Sequence, residues 1–409
     1  MGVAVVFYSC YPLQLSNTSL NRSSGERAER SEVKVVSRQL KWSGYLADSF
    51  LDRVRSSYKL MLGTAGTKLG RTWKNINKRQ ASVHAALIAG NNNELRKIFA
   101  DPISSDLFFG MDNLSLSILG RNFGEPRAVE AETDGARRDL YRLARALRID
   151  HALDSTSFDC EVVLRRIDRL LNQVVEFPNV FRGELGLPTT RGTASYRAIQ
   201  AIYQTARLVS LLACSNEKSV VEIGPGMGRT AYYAYHAGLT DYTTIDLPMG
   251  TVAQACFLGA TLGPEKIWMI CDDGQLVAGR IKLLAAGQTP NRKFGIALNV
   301  DSMTEMPLSA ALDYVDWIRR HSQLFLSVNH DRNEFTVKDI AAVSLRTASR
   351  HPYPMRDGYW EEIFIPRKST RSIARRLRQQ FSIMRHLAGF VLLRVPPFVL
   401  RRIRTAFTH

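Results

Sequence analysis

Acidic residues are scarce in this chain of 409 residues, and their scarcity is uneven. Asp and Glu total 38 against 55 Lys and Arg, which gives a formal net charge of +17 at pH 7. Residues 367–409 contain ten Arg and one Lys but no Asp or Glu. Because this segment mixes Arg with bulky aliphatic residues, it predicts peripheral contact with an anionic membrane surface. Nucleic acid is the less favoured partner, since the segment has few aromatic side chains that could stack on bases.

Cysteine is also sparse, and long apolar runs are absent from the sequence. The five cysteines contain no C-x-x-C pair, which argues against a disulfide framework and a structural zinc site and favours a reducing compartment. No stretch approaches the roughly 20 consecutive apolar residues that cross a bilayer. The sequence therefore predicts a cytoplasmic protein whose basic segment can contact the inner face of the membrane.

The stretch Val220–Arg229 carries the strongest structural signal. An apolar run ends in Glu222, and three glycines follow at alternate positions, Gly224, Gly226 and Gly228. After a segment compatible with a helix, a second apolar run ends in Asp246. This order predicts a strand, a tight turn, a helix and a second strand, which is half of a doubly wound α/β sheet. Ligands of such sheets bind at the carboxyl ends of the strands.

The spacing of the turn favours one kind of nucleotide ligand. The pattern G-x-G-x-G differs from the G-x-G-x-x-G of dinucleotide-binding oxidoreductases, and Glu222 would oppose a phosphate. A carboxylate there suits a cationic ligand such as S-adenosylmethionine (SAM), which carries a sulfonium and an ammonium group. The glycines let the backbone approach the ligand, and Asp246 is placed to accept both ribose hydroxyls.

These residues resemble motif I and the following strand of class I SAM-dependent methyltransferases, and more narrowly the sugar O-methyltransferase family. The resemblance covers about residues 85–366. It is carried by E-I-G-P-G-M-G at Glu222–Gly228, I-D-L-P at Ile245–Pro248, N-V-D-S-M-T-E-M at Asn299–Met306 and R-D-G-Y-W-E-E at Arg356–Glu362. Pro225 stands where the family commonly has glycine, which stiffens the turn.

The resemblance implies a Rossmann-like class I methyltransferase fold, with a mostly parallel seven-stranded sheet, helices on both faces and a helical N-terminal region. The predicted regions are a poorly ordered N-terminus (1–35), a helical region (36–195), a methyltransferase domain (196–366) and a basic amphipathic tail (367–409). The periodicity predicts strands near 219–223, 242–246, 266–271, 294–299, 323–328 and 359–365. It predicts helices near 196–212, 229–237, 250–262, 275–286 and 308–320.

The predicted cofactor site combines the turn with the ends of three further strands. By the resemblance, Asp272 and Asp273 occupy a position that often accepts a hydrogen bond from the adenine amino group. Asn299 lies at the end of the fourth strand. The residues predicted to bind SAM are Glu222, Gly224, Pro225, Gly226, Gly228, Asp246, Leu247, Asp272, Asp273 and Asn299.

Methyl transfer to a sugar hydroxyl benefits from a general base, because the hydroxyl is a poor nucleophile at neutral pH. The candidates are Asp301, Glu305 and His330, with His351 further along the chain, and the sequence does not decide among them. Glu305 could instead hold substrate hydroxyls. No dense acidic cluster predicts a metal site. Aromatic and Arg side chains can contact a sugar ring and an acidic group on its carrier, and the candidates are Arg197, Tyr203, Tyr353, Arg356 and Tyr359.

The sequence therefore predicts a SAM-dependent O-methyltransferase acting on a sugar hydroxyl, of a surface glycan or its precursor. Two alternatives stay open at this point. One is a SAM-dependent methyltransferase of a non-sugar small molecule. The other is a non-catalytic membrane- or nucleic-acid-binding protein with a methyltransferase-like core.

Overall fold

The structure of the protein is a computed structural model that describes residues 42–64, 70–111, 126–149, 159–213, 215–272 and 279–367. Three predicted features lie outside the described residues: the N-terminal segment 1–35, the basic tail beyond Arg367, and Asp273.

The N-terminal region is helical, as expected. Asp159 shows why one of these helices begins where it does, because its carboxylate accepts hydrogen bonds from the Glu161 and Val162 N–H groups. A short antiparallel hairpin, which the sequence did not predict, follows the helices. The elements are α1 (Asp48–Thr64), α2 (Arg71–Arg79), α3 (Ala81–Ala89), α4 (Asn92–Ala100), α5 (Pro126–Ala146), α6 (Cys160–Leu171), β1 (Leu187–Thr189) and β2 (Gly192–Ala194).

Strands and helices alternate from residue 196 onward. Ser195 caps the first helix of this region by accepting a hydrogen bond from the Ala198 N–H. The elements are α7 (Tyr196–Leu212), β3 (Val220–Ile223), α8 (Arg229–His236), β4 (Tyr242–Asp246), α9 (Pro248–Thr261), β5 (Ile267–Met269), β6 (Ile281–Ala285), β7 (Phe294–Val300), α10 (Leu308–His321), β8 (Ser322–His330), α11 (Val337–Ala341), β9 (Leu345–Pro352) and β10 (Tyr359–Pro366).

Strands β3 to β10 form one sheet in the order β5-β6-β4-β3-β7-β8-β10-β9. The strands from β5 to β8 pair in parallel, whereas β10 runs antiparallel to both β8 and β9. Apart from the edge strand β5, the spatial order is third, second, first, fourth, fifth, seventh, sixth. This arrangement, with the last strand antiparallel, is the class I methyltransferase fold. The predicted fold class is confirmed, and the strand predicted near 359–365 is the antiparallel strand β10.

Two details of the predicted sheet are wrong. Within the described residues the sheet has eight strands rather than seven: the strand predicted near 266–271 is the edge strand β5, and β6 and β9 were not predicted. The helix predicted over 275–286 contains strand β6 instead. Lys282 is the second residue of this buried strand, and its ammonium donates to Asp241 at 2.7 Å. That lysine interrupts the apolar run that would have indicated a buried strand.

The sheet is covered on both faces. Successive residues of β3 point to opposite sides, so Val220 belongs to one hydrophobic cluster and Val221 to another. The larger cluster combines the sheet with the N-terminal helices, α7, α8 and α9, while the smaller one lies under α10 and α11. The N-terminal helices therefore share their hydrophobic core with the sheet. Among the described helices, none combines the length and apolar character that a membrane crossing requires.

Candidate active site

A cavity of about 240 Å³ lies at the carboxyl ends of β3, β4 and β7. This is the position at which open α/β sheets bind their ligands. Helix α7 and parts of the N-terminal helical region complete its walls. The cavity brings together nine of the residues predicted from the sequence, namely Arg197, Glu222, Gly224, Pro225, Gly226, Asp246, Leu247, Asp301 and Glu305.

The glycine turn packs directly against the segment that follows β7. Gly224 has φ +67°, and a Cβ at this position would lie 2.2 Å from the Ser302 Oγ, so no other residue fits without displacing that hydroxyl. The Asn299 amide donates to the Ile223 carbonyl at 2.9 Å and to Ser302 Oγ at 2.6 Å. Asn299 is fully buried and is not part of the cavity lining; it holds the turn in place.

Two carboxyl groups of the cavity are buried without a charged partner among the described residues. The Glu222 carboxylate accepts a hydrogen bond from the Tyr242 hydroxyl at 2.7 Å. The Asp246 carboxylate accepts from the Leu247 N–H at 2.7 Å and from the Gln254 amide at 3.0 Å. Burial raises the pKa of Glu222 to about 8 and the pKa of Asp246 to about 7. A ligand that donates hydrogen bonds or brings a positive charge would favour their ionised forms.

A third carboxylate, Asp301, is held firmly by the protein itself. Its Oδ2 accepts from the Arg356 guanidinium at 2.8 Å, and its Oδ1 accepts from the Tyr359 hydroxyl at 2.8 Å. The His330 Nε2 lies 3.9 Å from Oδ1. Asp301 also has φ +55°, a backbone conformation that is uncommon for residues other than glycine and that is often found at functional sites.

Glu305 is the remaining carboxyl group of the cavity, and it follows Asp301 on a short 3₁₀ turn (Met303–Glu305). Burial, together with the charge of Asp301, raises the pKa of Glu305 to about 6. The indole of Trp73 donates a hydrogen bond to its Oε2 at 3.2 Å. A carboxylate that titrates close to neutral pH is well suited to accept a proton from a reacting group.

Arg197 contributes positive charge to the cavity. Its Nε is buried and has no hydrogen-bond partner among the described residues, whereas the other lining arginine, Arg229, forms an ion pair with Glu184 at 2.9 Å. Because an unsatisfied buried donor is costly, Arg197 is a candidate to bind an anionic group of a ligand.

Several predicted residues lie outside the cavity lining. The Asp272 carboxylate forms an ion pair with Arg53 at 2.6 Å and accepts a hydrogen bond from the Met269 N–H at 2.9 Å. Gly228 forms the N-cap of α8. Tyr203 is buried and donates to Glu361 at 2.7 Å. Tyr353 is also buried, and its hydroxyl accepts from the Gln204 amide at 3.4 Å. Arg356, Tyr359 and His330 surround Asp301, which places them behind a lining residue.

Other lining residues were not recognised in the sequence. Gln200 and Gln204 follow Arg197 on α7 at spacings of three and seven residues, which places all three on one face of the helix. That polar stripe is the signal that could have identified them. Trp73 and Met111 come from the N-terminal helical region, and no local pattern connects them with residues more than one hundred positions later in the chain.

No protein-family model and no curated protein matches the chain. Solved structures similar to it include an O-methyltransferase family protein from Burkholderia thailandensis (11% identity, 42% of this chain, 58% of that chain, TM-score 0.31). Another is the magnesium protoporphyrin IX methyltransferase of Synechocystis (12% identity, 42% of this chain, 84% of that chain, TM-score 0.29). A third is the mitomycin 7-O-methyltransferase MmcR (12% identity, 64% of this chain, 75% of that chain, TM-score 0.30). The fold assignment rests on the strand order described above.

Proposed function

We propose that the protein is a SAM-dependent methyltransferase that transfers a methyl group to a hydroxyl of a sugar or glycan. The observation that carries this proposal is one cavity at the carboxyl ends of the strands that contains two distinct sets of groups. The glycine turn and Asp246 suit a nucleoside, and Glu305 beside Asp301 suits an acceptor that must lose a proton.

The residues of the first set fit SAM chemically. Each Asp246 oxygen accepts one hydrogen bond from the described residues, so the carboxylate has acceptor capacity left for two ribose hydroxyls. Glu222 and Asp246 lack a cationic partner among the described residues, which suits a ligand with positively charged groups. When bound, SAM supplies a methyl group on a sulfonium centre, activated towards nucleophilic attack.

The residues of the second set fit the acceptor. Glu305 would take the proton of the acceptor hydroxyl as the oxygen bonds to the methyl carbon, while the bond from that carbon to the sulfonium sulfur breaks and a neutral thioether leaves. Asp301, fixed by Arg356 and Tyr359, keeps the end of β7 in place beside Glu305. Gln200, Gln204 and Arg197 offer the amide and guanidinium groups that bind hydroxyls or an acidic substituent.

Binding and transfer experiments test this proposal separately. Isothermal titration should detect SAM binding and no binding of NAD. Incubation with labelled SAM and extracted cell glycans, followed by mass analysis, should then identify a methylated sugar. Absence of SAM binding would overturn the whole proposal. Methylation of non-sugar acceptors alone would overturn only the sugar assignment and would favour the small-molecule alternative.

We further propose that residues 367–409 bring the enzyme to the cytoplasmic face of an anionic membrane, where a lipid-linked glycan precursor is found. Their composition supports this, with eleven basic and no acidic residues among aliphatic ones. Deletion of 367–409 should abolish partitioning onto anionic vesicles and leave SAM binding intact. Unchanged partitioning would count against the proposal.

A further inference from the structure

The hydrogen bond between Trp73 and Glu305 joins two distant parts of the chain. Trp73 lies on α2 of the N-terminal helical region, and 232 positions separate it from Glu305. Both side chains line the cavity, and the indole Nε1 is 3.2 Å from Glu305 Oε2. The helical region thus supplies a side chain that contacts the candidate base directly.

The backbone brings α2 very close to Glu305. Gly70, the N-cap of α2, also lines the cavity, and a Cβ at this position would lie 2.6 Å from the Glu305 carbonyl oxygen. Only glycine permits this approach, because a carbonyl of the main chain cannot move aside as a flexible side chain can. Two independent contacts, one through the backbone and one through the indole, therefore fix α2 against the turn that carries Glu305.

The two carboxylate oxygens of Glu305 have different surroundings. Oε2 accepts the indole hydrogen bond, whereas no described residue donates a hydrogen bond to Oε1. The charged groups that act on this carboxyl are Asp301, which disfavours the ionised form, and Arg197, which favours it. A single neutral donor on one oxygen orients the carboxyl group and leaves the second oxygen available to a reacting hydroxyl.

We propose that Trp73 is the positioning residue of the general base, holding Glu305 Oε2 so that Oε1 faces the acceptor hydroxyl. This inference rests on the proposed methyltransferase function. It makes the N-terminal helical region part of the catalytic machinery, in which α2 sets the orientation of a carboxylate carried by the sheet.

The contact is tested without any ligand by NMR of the indole N–H groups in the full-length protein. The Trp73 resonance, assigned by its loss in Trp73→Phe or Trp73→His, should shift with pH through a midpoint near 6, where Glu305 ionises. It should no longer do so in Glu305→Gln. Trp268 provides the internal reference, since its buried Nε1 has no partner among the described residues. A Trp73 resonance that is flat with pH, or that titrates unchanged in Glu305→Gln, would overturn the proposal.

Positioning is tested by the pH profile of kcat/KM. Loss of the indole donor removes an interaction that favours ionised Glu305, so in Trp73→Phe the acidic limb should move to higher pH and kcat should fall roughly 10-fold or more. Trp42→Phe, which changes an exposed tryptophan outside the cavity lining, is the matched control and should behave as the parent. A purely structural role would lower activity equally at all pH values and leave the limb in place, which would refute positioning.

The two proposals fail in different ways. If SAM does not bind, the methyltransferase function falls, and the base role of Glu305 with it. If SAM binds and methyl transfer occurs, but the Trp73 resonance does not respond to the ionisation of Glu305, only the inference about Trp73 is lost.

Discussion

The carboxyl groups on the two sides of the cavity differ in their partners. The Glu222 side carries Glu222 and Asp246, and the Asp301 side carries Asp301 and Glu305. Asp301 is already paired, with Arg356 and Tyr359 each 2.8 Å from one of its oxygens. Glu222 and Asp246 are buried, have no cationic partner among the described residues and have pKa values raised to about 8 and 7. Asp301 therefore has its partners within the protein, whereas no described residue offers a cation to Glu222 or Asp246, and we expect a ligand to favour the ionised forms of these two residues.

The largest effect is expected from Glu305→Gln, on the Asp301 side. Removal of the base should lower the rate of methyl transfer by roughly 10²- to 10⁴-fold, because a positioned general base contributes about that much. The affinity for SAM should stay the same, since the contacts expected for the nucleoside lie on the other side. Single-turnover rates with labelled SAM, together with calorimetric Kd values, check both expectations. Equal losses in rate and SAM affinity would mean that the two sides do not have separate roles.

A smaller effect is expected from Asp246→Ala, on the Glu222 side. The Kd for SAM should rise roughly 10- to 100-fold, because hydrogen bonds to a charged group are worth about 1.5–3 kcal/mol. Asp313→Ala is the matched control, since Asp313 is an exposed aspartate on α10. Calorimetric titration measures both variants. An unchanged Kd for Asp246→Ala would show that the nucleoside does not use this carboxylate.

The affinity for SAM should also depend on pH. Without ligand, Asp246 and Glu222 are largely protonated below their pKa values of about 7 and 8, and a ligand that donates hydrogen bonds favours the ionised forms. Binding should therefore release protons, and the Kd should fall as pH rises from about 6 to 8, by at most about tenfold per pH unit for each proton. Calorimetry in buffers with different ionisation enthalpies counts the protons. A Kd independent of pH would contradict the contrast between the two sides.

The smallest effects are expected on the stability of the protein without ligand, where Glu222→Gln and Asp301→Asn should act in opposite directions. Glu222 has a pKa of about 8 in the folded protein against an ordinary value of 4.5. Between these two pH values the folded state binds more protons than the unfolded state, so the free energy of unfolding falls as pH rises from about 4.5 to 8. Glu222→Gln removes that loss and should raise the unfolding temperature at pH 8. Asp301→Asn keeps one accepting oxygen but loses the charge and the second acceptor, so its contacts with Arg356 and Tyr359 weaken and the free energy of unfolding should fall by about 1–3 kcal/mol. Thermal scans at pH 6 and 8 measure both variants. A shift of the unfolding temperature in the same direction in both variants would refute the difference between the two sides of the cavity.

The fold was largely predictable because most elements of the sheet region have a strong local signature. The glycine turn, the helix Tyr196–Leu212 and the late antiparallel strand all follow from short-range patterns of apolar, glycine and capping residues. Strand β6 was missed because Lys282 interrupts its apolar run. Strand β9 was missed because it is an edge strand in which five of the eight residues are polar, and polar residues are common on strands that have one free edge.

The site was predictable only where the chain turns from strand to helix. Glu222, Asp246, Asp301 and Glu305 all follow or end buried strands, and parallel strands bring those ends together. The partners of these groups were not predictable, because they arrive by tertiary packing. Trp73 reaches Glu305 from α2, and Arg53 reaches Asp272 from α1, across more than 200 residues in each case. The roles of the individual residues in binding and catalysis stay predictions.

The order in which the ribosome makes the chain separates the two sides of the cavity in time. A nascent chain that ends after β7 already includes the glycine turn and Asp246. Asp301 receives Arg356 only 55 residues later and Tyr359 only 58 residues later. A premature stop codon between these points would therefore yield a polypeptide that has every nucleoside contact proposed on the Glu222 side, while the aspartate at the end of β7 lacks the counter-charge that holds it.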